Sequence, residues 1–136
     1  MTKEEIIRKA KELNLPGGSY VVFGSCPLAA LGIREAKDID MLVSQELYSQ
    51  LEERGWQKIE KGTKDIPLSH DVFEAHNNWA FSSYSPTLED LLADAMVIDG
   101  VPFASLMHVK RWKEASGRPK DLEDIKLIDR YLEAQK

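Results

Sequence analysis

Two aspartates, Asp38 and Asp40, stand two residues apart in the segment KDIDMLV. The apolar residues Ile39, Met41 and Val43 alternate with them, which predicts a β-strand with its charges at the leading end. Residues two apart on a strand face the same side, so we expect the two carboxylates to be neighbours. Their mutual repulsion favours a bound cation, and hard oxygen ligands suit Mg²⁺. Taken alone, the triplet is also compatible with two solvated aspartates at a strand entrance.

A glycine-serine turn precedes this acidic pair. The run SYVVFG predicts a buried strand that ends at Gly24 and Ser25, and the segment CPLAALG predicts a short helix after it. Such a turn presents backbone N–H groups and a small hydroxyl that a phosphate can approach closely. The same turn also occurs as plain strand-to-helix geometry. Without a paired base, the Cys26 thiol is not interpreted as a nucleophile.

Cations are concentrated towards the C-terminus. Five of them span two predicted helices and the turn between: Lys110, Arg111, Lys113, Arg118 and Lys120. A cluster of this kind either forms a solvated face or binds phosphates, whose charge guanidinium and ammonium groups balance.

The elements that position these groups can be traced from local patterns. Thr2 and Glu5 have capping-box spacing, which predicts a first helix to about Asn14, and Ser44 is expected to cap a helix that ends near Gly55. Short strands are predicted in GWQKIEKG and SHDVFEAH. Asp-Gly in AMVIDGVPF predicts a tight hairpin, and Thr87 with Asp90 a further helix start.

The C-terminal part of the chain is predicted to be helical. The run SLMHVKRWKEAS precedes Gly117, a helix stop, and Pro119 begins a second helix. Its predicted apolar face comprises Leu122, Ile125, Ile128 and Leu132. The order of the elements predicts an α/β (α+β) sheet layered with helices.

Charge and cysteine content exclude several classes of protein. The net charge of -5 argues against a protein that coats nucleic acid indiscriminately, because such binding neutralises many phosphates. A single cysteine cannot form an internal disulfide, and the charged start MTKEEIIRKAKEL has no signal-peptide core, so a cytoplasmic location is expected. No apolar run approaches the roughly 20 residues that cross a bilayer, and no membrane role is expected.

The Gly24-Ser25 turn, twelve intervening residues and the DID triplet together resemble the signature of the nucleotidyltransferase superfamily. That superfamily includes DNA polymerase beta and the aminoglycoside nucleotidyltransferases. The stretch YVVFGSCPLAALGIREAKDIDMLV is most similar to the AbiEii-type branch, which contains type IV toxin nucleotidyltransferases, and KEASGRPKDLEDI resembles the C-terminal segment of that branch. The resemblance implies one nucleotidyltransferase-like domain over residues 1–136, with a mixed β-sheet, flanking helices and C-terminal helices.

The resemblance also implies an activity: transfer of a nucleoside monophosphate from an NTP to a hydroxyl acceptor. Asp38 and Asp40 would hold Mg²⁺, or Mn²⁺, against the triphosphate, while Gly24 and Ser25 fix its β- and γ-phosphates. Cys26-Pro27 departs from the pattern, because proline removes one backbone N–H that could reach a phosphate.

A third acidic residue on a neighbouring strand commonly completes such a site. Asp71 in HDVFEAH is the predicted third carboxylate, which would bind metal and accept the proton of the attacking hydroxyl. Glu74 is its rival on the opposite strand face. The same resemblance implies that Lys113, Arg118 and Lys120 face the triphosphate or the phosphates of an acceptor.

Several alternatives stay open at this point. One is a non-catalytic nucleotide-binding or toxin-antitoxin partner module on the same fold, and another is a zinc site built from His70, Asp71, Glu74 and His76. The aromatic residues Trp79, Phe81 and Tyr84 either stack on a base or belong to the core. The acceptor is a tRNA or other RNA end, a protein or a small molecule, and a partner subunit or a homo-oligomer would complete its cleft.

Overall fold

The computed structural model describes residues 1–60, 66–79 and 84–135. Its strands are β1 Tyr20–Phe23, β2 Ile39–Val43, β3 Gln57–Lys58, β4 Leu68–His70, β5 Phe73–His76, β6 Met96–Ile98 and β7 Val101–Phe103. Its helices are α1 Lys3–Glu12, α2 Cys26–Ala30, α3 Gln45–Glu53, α4 Leu88–Ala93, α5 Leu106–Ser116 and α6 Pro119–Ala134.

The strands described here form one mixed sheet in the order β3-β4-β5-β2-β1-β7-β6. β1 is antiparallel to β2 and parallel to β7, and β2 is parallel to β5. Helices cover both faces of the sheet, so the predicted fold class is confirmed. None of the described helices combines the length and the apolar character needed to span a bilayer.

Local signals explain most element boundaries. The predicted N-caps are confirmed at Thr2, Ser44 and Thr87, whose side-chain oxygens accept backbone N–H bonds in the first turns of α1, α3 and α4. The β6–β7 hairpin turns through Asp99 and Gly100, which have φ values of 52° and 83°. Positive φ at both central residues is the requirement of a type I′ turn, as the Asp-Gly pair predicts.

Successive side chains of β2 point to opposite faces of the sheet, and each face has its own hydrophobic core. Ile39 and Met41 pack with α1 and α3 on one face of the sheet. Leu42 packs on the other face with residues of α4, α5 and α6, among them Trp112. Because side chains two apart share a face, Asp40 lies on the same side as Leu42, facing the C-terminal helices.

The segment SHDVFEAH is not one strand, as the sequence predicted, but a hairpin. β4 ends at His70, Asp71 and Val72 form a tight turn, and β5 begins at Phe73. Asp71 adopts a left-handed φ of 54°, a conformation that aspartate tolerates better than most residues. The turn breaks the alternation of faces that a continuous strand would keep.

The predicted apolar face of α6 is confirmed in part, because Ile128 is buried and Leu132 packs against the core. Leu122, placed on the apolar face by periodicity, is 53% exposed, whereas Asp121 and Asp124 are buried together with Ile128. Carboxylates enter the interior when a cation accompanies them, and the buried Lys113 of α5 lies between these two.

Candidate active site

A cleft of about 780 Å³ opens where β2 and β5 face α5 and α6. Its walls include most of the residues that the sequence singled out: Ser25, Asp38, Asp40, Lys113, Arg118 and Lys120. The structure thus brings together the acidic pair, the turn serine and the C-terminal cations, although they are far apart in sequence.

Gly24 follows β1 directly and lies against Asp40, whose partner across the two strands is Phe23. A Cβ atom at Gly24 would stand 2.4 Å from Asp40 Oδ2, so a larger residue would displace the carboxylate. Gly24 also has a φ of 66°, which favours glycine. Asp38 lies in the bend just before β2 rather than on the strand, and it is exposed. Both carboxylates nevertheless border the same cleft.

The structure places Glu74, not Asp71, beside Asp40. β5 runs parallel to β2 with Glu74 paired to Asp40, and both side chains point into the cleft. Asp71 lies outside the cleft lining, and its carboxylate binds Lys9 Nζ at 3.2 Å on the α1 side of the sheet. The predicted role of Asp71 assumed a continuous strand, and the turn at Asp71 and Val72 removes that assumption.

His76 joins the two carboxylates from the next cleft-facing position of β5. Its Nε2 lies 3.5 Å from Glu74 Oε1 and 3.8 Å from Asp40 Oδ1. One ligand atom from each of these three residues lies within 4.8 Å of the others. His70, which the zinc alternative included, instead stacks on Trp56 with ring centroids 5.1 Å apart, on the opposite face.

Arg34 connects the turn serine to helix α6, a contact that the sequence analysis missed. Its guanidinium donates to both oxygens of Asp124 at 2.7 and 2.8 Å and to Ser25 Oγ at 2.8 Å. A guanidinium has no acceptor, so the Ser25 oxygen must accept this bond. The hydroxyl hydrogen of Ser25 therefore stays available to donate to an anion.

The predicted phosphate cations differ in their surroundings. Lys113 is 1% exposed, and its Nζ lies 2.8 Å from Asp124 Oδ2 and 3.6 Å from Asp121 Oδ1. Arg118 donates to Asp121 Oδ2 at 2.8 Å. Lys120 is exposed at the cleft. Lys113 and Arg118 are thus engaged by the buried carboxylates of α6.

The buried carboxylates stay ionised because of these cations. Burial acts to raise the pKa of Asp124, but bonds from Arg34 and Lys113 outweigh it and hold the pKa below its ordinary value. Burial likewise acts to raise the pKa of Asp121, and Arg118 and Ser116 reverse the direction. Both aspartates therefore stabilise the fold in their charged form.

We expect acid to weaken the protein through these two groups. An aspartate whose pKa is lowered by folding stabilises the folded protein fully at a pH above its pKa in the unfolded chain, about 3.9. This stabilisation is lost as the pH falls through the lower pKa of the folded protein. In urea titrations from about pH 7 to 2.5, the gap in unfolding free energy between the wild type and Asp124→Asn should close with acidification. Asp129→Asn, an exposed change on the same helix, should unfold close to the wild type at neutral pH; a pH-independent gap for Asp124→Asn would contradict the assignment.

Three other residues that the sequence raised are packed into the protein: Cys26, Trp79 and Tyr84. The buried Cys26 thiol donates to the backbone oxygen of Asp38 at 3.2 Å, and burial raises its pKa far above the ordinary range. Trp79 belongs to the core, stacked on Phe23 with ring centroids 4.7 Å apart. Tyr84 packs against the same core, with its hydroxyl 2.6 Å from His108 Nδ1. Phe81 lies outside the described residues.

Solved structures of one known protein are similar to this chain in fold. The sequence matches no family model and no curated protein. Two solved structures of ANT(2″)-Ia, an aminoglycoside nucleotidyltransferase, are similar to the chain. The crystal structure with adenylyl-2″-tobramycin shares 19% identity with a TM-score of 0.50, covering 97% of this chain and 88% of that one. The solution structure, of an antibiotic-resistance factor, shares 22% identity with a TM-score of 0.54, covering 97% and 83%. At these identities the likeness establishes a shared fold.

Proposed function

We propose that the chain is a metal-dependent nucleotidyltransferase that moves a nucleoside monophosphate from an NTP to a hydroxyl acceptor. The observation that carries the proposal is the convergence of Asp38, Asp40 and Glu74 on one cleft with the Ser25 hydroxyl. Three carboxylates beside exposed cations match the needs of a metal-bound triphosphate. The fold shared with ANT(2″)-Ia supports the same activity.

The donor set fits a hard divalent cation, for which we propose Mg²⁺. The carboxylate oxygens of Asp38 and Asp40 would hold it, and the absence of a Cβ at Gly24 leaves the Asp40 carboxylate the space it occupies. When bound, such an ion neutralises charge on the triphosphate and lowers the pKa of a bound hydroxyl.

Other side chains of the cleft would bind the phosphates and accept the proton of the acceptor. Ser25 donates its hydroxyl hydrogen to a phosphate oxygen, and Lys120 and Arg118 balance phosphate charge. Glu74 accepts the proton of the attacking hydroxyl while the new bond between its oxygen and the α-phosphorus forms. The bond between that phosphorus and the bridging oxygen breaks, and pyrophosphate leaves with the electron pair.

For the acceptor we propose a small-molecule hydroxyl. The support is the adenylyl-2″-tobramycin named for the ANT(2″)-Ia crystal structure, in which a nucleotide is joined to a small molecule. An RNA end and a protein hydroxyl are the competing outcomes. When an α-labelled NTP is incubated with the protein and a cell extract, label should appear in the small-molecule fraction. Label in RNA or protein would contradict the proposed acceptor class but would still support the transfer reaction.

Nucleotide binding is tested most directly by thermal unfolding with each of the four NTPs, with and without Mg²⁺. We expect Mg²⁺ and nucleotide together to stabilise the protein by about 2.7 kcal/mol at a hundredfold excess over Kd, because only the folded state binds. Asp38→Asn and Asp40→Asn should each abolish this gain, and Asp71→Asn should keep it. Stabilisation that persists in Asp40→Asn would sink the proposal, and binding without any transferred label would indicate a non-catalytic nucleotide-binding module.

A further inference from the structure

His76 borders the same cleft but has no part in the proposed transfer reaction. It follows Glu74 by two residues on β5, so both side chains face the C-terminal helices. The side chain is 9% exposed, and the ring of Trp79 packs edge-on against it with centroids 4.5 Å apart. These contacts limit how far the imidazole can turn.

The three donor atoms lie close together, within 4.8 Å of one another. Ligands at roughly 2.1 Å from an octahedral ion lie about 3.0 Å apart when adjacent and about 4.2 Å apart when opposite. His76 Nε2 lies 3.5 Å from Glu74 Oε1 and 3.8 Å from Asp40 Oδ1, which falls between these limits. The Asp40 and Glu74 oxygens lie within 4.8 Å of each other, so movements of their side chains that bring them inside the same limit would place all three atoms on one ion.

The strand pairing makes this arrangement a property of the fold. Asp40 and Glu74 are paired across parallel strands, and His76 pairs with Leu42 one cleft-facing position further along. Gly24 leaves the space in which the Asp40 carboxylate lies. The nitrogen donor thus lies at the inner end of the site, and Asp38 lies at its exposed end.

We propose that Asp40, Glu74 and His76 bind a second ion, with Nε2 of His76 as a ligand, and that this position prefers a first-row transition-metal ion over Mg²⁺. This inference rests on the proposed function. Imidazole nitrogen suits transition metals, whereas Mg²⁺ is bound through oxygen and water. The ion that Asp38 and Asp40 hold against the nucleotide keeps its oxygen ligands and stays Mg²⁺.

The experiment uses Mn²⁺ as a paramagnetic probe, at one equivalent per full-length chain and without nucleotide. Electron spin-echo modulation should show coupling to an imidazole ¹⁴N, and selective ¹⁵N-labelling of histidine should replace it with the ¹⁵N pattern. His70→Gln, a change on the opposite face, should keep the coupling. His76→Gln should remove it and weaken Mn²⁺ binding by about tenfold or more, with Mg²⁺ affinity within about twofold.

The wild-type spectra make the test independent of whether His76→Gln folds. Bound Mn²⁺ without nitrogen coupling overturns the inference; it would mean that His76 is an ion-pair partner of the carboxylates and not a ligand. Coupling that survives in His76→Gln also overturns it. Failure of the proposed function looks different, because Mn²⁺ would then bind with nitrogen coupling while no labelled nucleotide is ever transferred.

Discussion

Replacing Glu74 by Gln is expected to slow nucleotidyl transfer by about 10²–10⁴-fold, the usual effect of losing a general base or metal ligand. Glutamine keeps the size of the side chain, but it cannot accept the proton or bring negative charge to the ion. The measurement is the initial rate at which label moves from an α-labelled NTP to acceptor, with folding checked by thermal unfolding.

Asp71→Asn is the matched control for this prediction. The Asp71 carboxylate lies outside the cleft lining and binds Lys9 at the surface, so the rate should stay within about twofold of the wild type, as is usual for a surface change. The reverse result, a large loss in Asp71→Asn and a normal rate in Glu74→Gln, would contradict the site as we assign it.

The turn at Asp71 and Val72 could have been predicted from a change of parity along the sequence. The apolar Leu68 and Val72 are at even positions, whereas the apolar Phe73 and Ala75 are at odd ones. One uninterrupted strand cannot keep its apolar residues on one face across that change, so a break near residues 71 and 72 is implied. With the break in place, Glu74 becomes the residue that shares a face with Asp40.

Local sequence signals, each within a few residues, correctly predicted the starts of several helices and the β6–β7 turn. The caps at Thr2 and Thr87 and the Asp99-Gly100 turn depend on bonds or backbone angles that neighbouring residues decide. The link between Arg34 and Asp124 joins residues 90 positions apart. No local pattern marks such a pair, since it forms only when α6 packs beside the turn that follows α2.

The C-terminal helix shows how tertiary packing overrides periodicity. A helix with apolar residues at Leu122 and Ile125 is expected to bury them. Here the neighbouring helix contributes a buried ammonium at Lys113, and the face that carries Asp121 and Asp124 turns inward to meet it. Leaving that cation without carboxylates would cost more than exposing one leucine.

Lys113→Met is expected to lower the free energy of unfolding by about 3–5 kcal/mol, the typical result of breaking a buried ion pair from one side. Methionine fills a similar volume, but it leaves Asp121 and Asp124 buried with one cation fewer. Arg34 and Arg118 still contact these carboxylates, so the protein should fold with a lower urea midpoint. Adding Asp121→Asn to Lys113→Met should recover part of the loss, because it removes one of the stranded charges.

Lys110→Met is the matched control, since Lys110 lies on the same helix and pairs with Asp129 where both side chains are partly exposed. Solvent screens an exposed ion pair, which then adds little to stability, so this variant should unfold close to the wild type. Urea titration measures both lysine variants, and the thermal-shift assay measures their nucleotide binding. If Lys113→Met keeps its unfolding free energy but loses nucleotide binding, then Lys113 binds phosphate, as the sequence predicted. If its unfolding free energy falls as expected, the buried ammonium acts by holding α6 against Arg34 and the Ser25 turn.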